Sequence, residues 1–422
     1  MYCELMNKMK FIHTADIHLG KTYRNSSGEA ERYQDFFRCL SGIVGDAVRE
    51  SVDFVVIGGD LFHTGQILPK TFAKTIEILH PLKEAGIPCI AIEGNHDWIH
   101  RRNNISWMEA LSAMGYIRLL RPARTAEGGY CFAAFNEETG EGGHIEIGGL
   151  NIYGLGYIGA QAGSHVERIC EAVTTANNLL IFHVGIWKYS PVEIGNMKIE
   201  EAHPLAEKFG YVALGHGHKQ YVIETPAGRP YAYNPGAPER VNFGEEKYEK
   251  GYYFVTVADG RFAPEFRPTD PRPMLVEVIN LDGAIDADSA LARFREQITA
   301  RLAGLTDARA PLLELKLAGR VGFHPFELGR ERLRLAIEEL AVPLYVEIKN
   351  HLSLLARSGG EEVIKKSLAE IESDVLHELI GAHSKYQGRE EELAKLSLAI
   401  RDLVMKGEVE DDELLGLFGE QV

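Results

Sequence analysis

Five times in its first half the chain repeats one arrangement: a short apolar run that ends in side chains able to hold a metal ion. Residues 11–15 lead to Asp16 and His18, and residues 54–59 lead to Asp60 and His63. Residues 90–94 lead to Asn95, His96 and Asp97, residues 179–182 to His183, and residues 211–215 to His216 and His218. Sites in α/β sheets form just beyond the carboxyl ends of strands, so five such ends meeting at one rim would gather these groups. Taken singly, each piece has an ordinary explanation. Asp-x-His and Gly-Gly-Asp occur in turns, Asn-His-Asp can start a helix, and a lone histidine is often a hydrogen-bonded core residue. Their repetition after strand-like runs is what points to a shared site.

Helix-like stretches at 30–50, 70–85 and 164–176 separate several of these runs, which argues for an α/β layered domain. A later group at 221–224, 231–233 and 252–257 has no helices between its members and reads as antiparallel hairpins closing that domain. Pro268, Pro271 and Pro273 make 267–273 a candidate linker, with an ordinary surface loop as the alternative. From 274 to 349 the pattern becomes a small βαβαβ module, with apolar runs at 274–279, 312–317 and 344–348 around helix-like stretches at 289–303 and 328–340. From 351 to 422 sixteen acidic residues face eight basic ones, which is half of the net charge of −16. Apolar residues there recur at helical spacing, at Ile364, Leu368, Ile371, Val375 and Leu379 and again at Leu393, Leu396, Ile400 and Leu403, before a final patch at 414–418. These striped helices either pack on the rest of the chain or dock into a partner's groove.

The acidic balance argues against a surface that is basic throughout, but not against a local basic groove. Five widely spaced cysteines without a C-x-x-C exclude a disulfide framework and read as small apolar core residues. The start lacks the pattern of a secretory signal, and no apolar run approaches the roughly 20 residues that cross a bilayer. A soluble chain of a reducing compartment is expected, read as cytoplasmic and without a membrane. The strand pattern begins only near Lys10, so residues 1–8 read as an upstream extension and Met9 as a candidate start.

The candidate ligands are Asp, His and Asn, with no Cys, a set that suits Mn²⁺, Fe²⁺ or Zn²⁺ better than Ca²⁺. There are too many for one ion. About seven groups fit two, with one carboxylate shared, and two ions roughly 3.5–4 Å apart can clamp a phosphoryl group and generate hydroxide near neutral pH. Hydrolysis of a phosphate ester follows. His13 lies inside the first apolar run and reads as structural.

The pattern Asp16-x-His18, Gly59-Asp60, Gly94-Asn95-His96-Asp97, His183 and Gly215-His216-Gly217-His218 resembles the calcineurin-like metallophosphoesterase signature. More narrowly, TADIHLG at 14–20, RYQDFF at 32–37 and GGDLFH at 58–63 resemble the SbcD-type DNA double-strand-break repair nucleases. The likeness is dense over 10–240, sparse in the small module and only architectural beyond it. It implies a layered metallophosphoesterase sandwich at 9–270, a βαβαβ capping domain at 274–349 and a helical partner-binding segment at 351–422. It further implies that Asp16, His18 and His218 hold one ion and Asn95, His183 and His216 the other, with Asp60 bridging and Mn²⁺ the usual metal. His96 would stand beside the scissile phosphate and help protonate the leaving oxygen, His63 would contact the phosphate, and Asp97 would orient His96. Leu61-Phe62-His63 stands where the phosphatase branch usually carries Asp-Arg-Gly.

The resemblance implies partners too: DNA, an SMC-like ATPase of the SbcC type docked on the C-terminal helices, and a second copy of the chain paired through helices near 70–82 and 104–114. Candidate DNA contacts are the basic clusters at 21–24 and 101–102, each just after a ligand loop. Three readings stay open. The chain is a Mn²⁺-dependent DNA nuclease acting on duplex ends and single strands, a phosphodiesterase or phosphatase for a small molecule, or a non-enzymatic tether of DNA ends with a structural metal site.

Overall fold

The computed structural model describes residues 8–23, 28–98, 105–190, 194–304, 307, 309–355, 375–377, 380 and 388–406. The chain divides into two compact units, Met1–Leu355 and Ala356–Val422. In the first, the strands β1 (Met9–Thr14), β2 (Phe54–Ile57), β3 (Cys89–Ala91), β4 (Arg118–Leu119), β5 (His144–Ile147), β6 (Leu150–Leu155), β7 (Asn178–His183), β8 (Tyr211–Gly215), β9 (Tyr221–Glu224), β10 (Pro230–Asn234), β11 (Gly251–Ala258) and β12 (Arg261–Pro268) build two six-stranded sheets. One runs β12-β11-β1-β2-β3-β4 and the other β9-β10-β8-β7-β6-β5. Each has a parallel centre, β1 to β4 in one and β6-β7-β8-β10 in the other.

Burial of both faces explains why the strands read as unbroken apolar runs rather than alternating ones. Phe11, Phe54, Val56, Ile90, Leu179, Ile181, Tyr211 and Ala213 fill one core shared by the two sheets. Their sequence neighbours Ile12, Val55, Ile57 and Ala91 pack on the far side of the first sheet, in one cluster with Phe36, Leu40 and Leu79 of helices α1 (Glu29–Arg49) and α2 (Pro69–Glu84) and Met108 and Leu111 of α3 (Trp107–Ala113). Leu180, Phe182, Val212 and Leu214 do the same on the second sheet, against Val166 and Ile169 of α4 (Val166–Ala172). The result is the layered α/β sandwich that was expected. His13 is buried between the sheets, with Nδ1 3.0 Å from the Tyr211 hydroxyl and Nε2 3.0 Å from the Leu214 carbonyl oxygen.

Four local expectations change. The helix expected over 164–176 is a 3-10 turn, Ala162–His165, followed by the short α4, because the β-branched run Val173-Thr174-Thr175 leaves helical geometry at Val173. The late strands do not form one antiparallel group. β9 and β10 complete the second sheet, with β10 parallel to β8, while β11 and β12 complete the first, with β11 antiparallel to β1. Cys39 and Cys89 are buried, but Cys131 is exposed.

The proline-rich stretch at 267–273 is neither loose linker nor ordinary loop. β12 extends to Pro268, and Arg272 is 1% exposed. Its guanidinium lies 2.5 Å (Nε) and 2.9 Å (Nη2) from the two oxygens of buried Asp35 on α1, 2.7 Å from Glu31, and 2.8 Å from the Ala310 carbonyl. Burial alone would raise the Asp35 carboxyl, but Arg272 and Arg32 hold it below the usual carboxylate range. Removing one partner of a buried pair leaves an uncompensated charge, at a cost of about 3–5 kcal/mol. Arg272→Met is therefore expected to lower the urea midpoint clearly, with circular dichroism as the readout, and an unchanged midpoint would mean the pair contributes nothing.

Three parallel strands, β13 (Met274–Asn280), β14 (Leu312–Val321) and β15 (Tyr345–Leu354), with helices α5 (Ala287–Leu302) and α6 (Arg330–Glu338) between them, form the βαβαβ module. β15 runs past residue 349, because its pairing with β14 continues to Leu354. In the second unit α7 (Glu390–Lys406) occupies the segment where Leu393 to Leu403 predict a helix. The earlier stripe, apart from Val375, and the patch at 414–418 lie outside the described residues, as do Arg24, Arg101 and Arg102 of the candidate basic clusters. Among the described residues no helix is long and apolar enough to cross a membrane.

Candidate metal centre

The ligand loops leave β1, β2 and β8 in a conformation L-residues avoid. Asp16 (φ 53°), His18 (φ 52°), Asp60 (φ 52°) and His216 (φ 87°) all have left-handed backbone. Each costs on the order of 1 kcal/mol or more, and such strain persists where the surroundings over-determine it. Here the first two loops zip together: Asp16 N–H donates to the Gly59 carbonyl at 3.0 Å, His18 N–H to that of Asp60 at 3.0 Å and Leu19 N–H to that of Leu61 at 2.8 Å. Gly94 is required by close approach, since a Cβ there would collide with the Asp60 carboxylate.

The strand ends of both sheets bring all seven candidate ligands to one place. Ligand atoms of Asp16, His18 and His218 lie within 4.8 Å of one another, and so do those of Asp60, His183 and His216. Asn95 Oδ1 is 3.1 Å from His183 Nε2 and 2.9 Å from His216 Nδ1. Asp60 Oδ2 lies 3.9 Å from His18 Nε2 and 3.5 Å from His183 Nε2, so one carboxylate stands between the two groups. His63 and His96 border them: with His18 they form a third cluster of the same size.

Hydrogen bonding shows that this donor set fits cations. His183 Nδ1 is 2.7 Å from the Gly58 carbonyl oxygen, so it carries the proton and turns Nε2 toward the Asp60 and Asn95 oxygens. His218 Nδ1 faces Glu245 Oε1 at 2.8 Å, which turns its Nε2 toward His18 Nε2 at 3.0 Å. With the rings neutral, acceptors would converge on acceptors, an arrangement that positive charge between them relieves, whether protons or metal ions supply it. Imidazoles oriented from behind by a carbonyl or carboxylate are typical of metal ligands.

The titration behaviour agrees. Burial, reinforced by His218, drives His18 well below its ordinary pKa; burial and His183 push His216 to about 3, and burial and Lys21 push His63 to about 4. These rings are neutral near pH 7, the form that binds metals. Burial would lower His183 as well, but the Asp60 charge outweighs it and lifts it to about 9, so a proton occupies the nitrogen that a cation would take. Burial would raise Asp60, and His183 and His18 instead hold it far below the usual carboxylate range.

One expected contact is replaced. Asp97 does not orient the His96 ring. Its carboxylate accepts from the backbone N–H groups of Phe62 (2.9 Å), Gly94 (3.0 Å) and Leu61 (3.3 Å), tying the third ligand loop to the second. Burial and the nearby Asp60 push its pKa up to about 8. The His96 ring is held by the His63 carbonyl, 2.8 Å from Nδ1, while its backbone N–H donates to Asp60 Oδ1 at 2.8 Å. Glu245 and Lys250, 2.5 Å apart and both buried behind His218, escaped the sequence reading. Glu245 stands among other acids at 246 and 249, and nothing in its spacing marks it. Tyr157, whose ring centroid is 5.6 Å from that of His216, was missed for the same reason.

A family model described as calcineurin-like phosphoesterase matches residues 9–220. The chain is 27% identical over 58% of its length to the DNA double-strand break repair protein Mre11 of Saccharolobus solfataricus, 29% over 60% to that of Sulfurisphaera tokodaii, and 28% over 63% to that of Archaeoglobus fulgidus. It spans 60% of the length of each of these relatives. Among solved structures, a dimetal phosphatase from Danio rerio is similar at 12% identity and a TM-score of 0.40, over 62% of this chain and 96% of that one.

Proposed function

The chain belongs to the calcineurin-like phosphoesterase family, and from that premise we propose that it is a metal-dependent DNA nuclease of double-strand-break repair. The observation that carries the reading is the Asp60 carboxylate set between two ligand groups, with His63 and His96 at their edge. The likeness to Mre11 proteins favours DNA over a small phosphodiester. Asp16, His18 and His218 would hold one divalent ion and Asn95, His183 and His216 the other, with Asp60 available to both. Mn²⁺ is the metal of this reading, which the Asp/His/Asn donor set accommodates. Two bound cations supply charge neutralisation on the phosphodiester and a nucleophile at neutral pH.

The remaining work falls to the chain's own side chains. With Nδ1–H donated to the His63 carbonyl, His96 presents Nε2 to the substrate; in its imidazolium form it gives the Nε2 proton to the departing oxygen and is left as the neutral ring. His63, kept neutral by burial, hydrogen-bonds a phosphate oxygen. Asp97 keeps the second and third ligand loops in register. In the same reading the nuclease acts as exonuclease on duplex ends and endonuclease on single strands, as a homodimer, under control of an SMC-like ATPase of the SbcC type that docks on the C-terminal helices.

The test is cleavage of linear duplex and circular single-stranded DNA by the purified chain with Mn²⁺, with and without such an ATPase, beside turnover of cyclic nucleotides. Metal-dependent DNA cleavage that EDTA abolishes is expected. Intact DNA alongside fast nucleotide hydrolysis would replace the nuclease with a small-molecule phosphodiesterase.

A further inference from the structure

The βαβαβ module packs against two segments that lead to one of the two ligand groups. At its edge Tyr345, the first residue of β15, stacks on Tyr23 with ring centroids 4.4 Å apart and planes 5° from parallel. Phe243 completes the stack, 6.0 Å from Tyr23 and 6.3 Å from Tyr345. Phe243 is buried in one cluster with Met274, Leu312 and Leu344 of the module, and Tyr23, Val276 and Tyr345 pack against it. The fit is close: a Cβ on Gly28, at the start of α1, would collide with Leu344.

Both inner members of this stack lead to the same ligands. Tyr23 follows His18 by five residues on the loop that leaves β1. Phe243 opens the 3-10 turn Phe243–Glu245, and Glu245 holds His218 Nδ1 at 2.8 Å. Glu245 is in turn fixed by Lys250 Nζ at 2.5 Å, Asn242 Nδ2 at 2.8 Å and the Val241 N–H at 3.0 Å. The other ligand group draws its support from the two-sheet body: His183 from the Gly58 carbonyl, and Asn95 from its contacts with His183 and His216.

We propose that the module selectively sets the affinity of the Asp16–His18–His218 metal position, with Tyr345 and Glu245 as positioning residues. Tyr345 clamps Tyr23 and the Phe243–Glu245 turn. The turn keeps the Glu245 carboxylate on His218 Nδ1, and that bond fixes the tautomer and ring direction with which His218 Nε2 meets an ion. Loss of the clamp lets the turn and the His18 loop relax together. A shift of the module, however produced, thereby loosens one ion and leaves the other seated. This inference rests on the two-ion reading of the site.

Mn²⁺ binding to the full chain tests it, by calorimetric titration and by electron paramagnetic resonance, which separates a coupled pair of Mn²⁺ ions from a single one. The unaltered chain takes up two ions. Tyr345→Ala is expected to keep one at the original affinity and to bind the other about 10–100-fold more weakly, the scale for lost orienting partners of metal ligands, so the coupled signal gives way to that of a single ion. Tyr345→Phe, which keeps the ring, restores both. Should Tyr345→Ala fail to fold by circular dichroism, Tyr345→Leu carries the same expectation. Two ions bound with unchanged affinity by a folded ringless variant, or equal weakening of both, overturn the coupling while the two-ion reading stands. Fewer than two ions in the unaltered chain overturn that reading and the coupling with it.

Discussion

Asp60→Ala is expected to abolish phosphodiester cleavage, by at least about 10³-fold, in a protein that still folds. Two metal ions contribute several kcal/mol of charge stabilisation to such a reaction, and about 1.4 kcal/mol corresponds to each factor of ten. The Asp60 carboxylate, 3.9 Å from His18 and 3.5 Å from His183, is positioned to serve both ligand sets. Folding should survive because the variant deletes a buried charge that, with no ion present, is balanced by a protonated His183. That histidine can simply release its proton. Metal binding to the folded state raises the melting temperature by mass action, so Mn²⁺ should stabilise the unaltered chain and have little effect on the variant. Melting curves with and without Mn²⁺, beside a cleavage assay, give both readouts. A folded, inactive protein also counts against a tether whose metal site is merely structural, whereas cleavage at the original rate would remove Asp60 from the centre of the mechanism.

His96→Ala should separate metal binding from turnover. The backbone N–H of His96, not its ring, holds Asp60 Oδ1 at 2.8 Å, and alanine keeps that bond. The ring is anchored only through Nδ1 to the His63 carbonyl among the hydrogen bonds of the described residues, which frees Nε2 for the substrate. Removing a positioned acid–base group slows a reaction typically by about 10²–10⁴-fold. The expected variant binds two Mn²⁺ as before and loses kcat on that scale. Loss of an ion would instead make His96 a ligand, a role its place in the cluster with His18 and His63 makes worth measuring.

The candidate ligands were legible because their chemistry and position coincide: each is a metal-binding residue type at the end of an apolar run, and all seven meet. The layered architecture was legible from the same runs. Their division into two sheets was not, because a strand buried on both faces shows no period-2 pattern that would say which residue faces which core. Phe11 faces the shared core and Ile12 the helices, yet both are simply apolar in the sequence. Arg272 was hidden for another reason. Prolines on both sides make 271–273 look like solvent-exposed chain, while its burial depends on Asp35, more than two hundred residues away. Glu245 likewise acquires its role only when the fold sets it behind His218. Asp97 adjoins His96 in sequence, yet its carboxylate meets three backbone N–H groups, two of them on another loop, and such bonds leave no mark in the local sequence.

The most direct measurement is anomalous diffraction from crystals of the chain grown with Mn²⁺. Two peaks about 3.5–4 Å apart are predicted, one among Asp16, His18 and His218, one among Asn95, His183 and His216, with Asp60 reaching both. A single peak, or none at this rim in protein saturated with the metal, would contradict the two-ion centre.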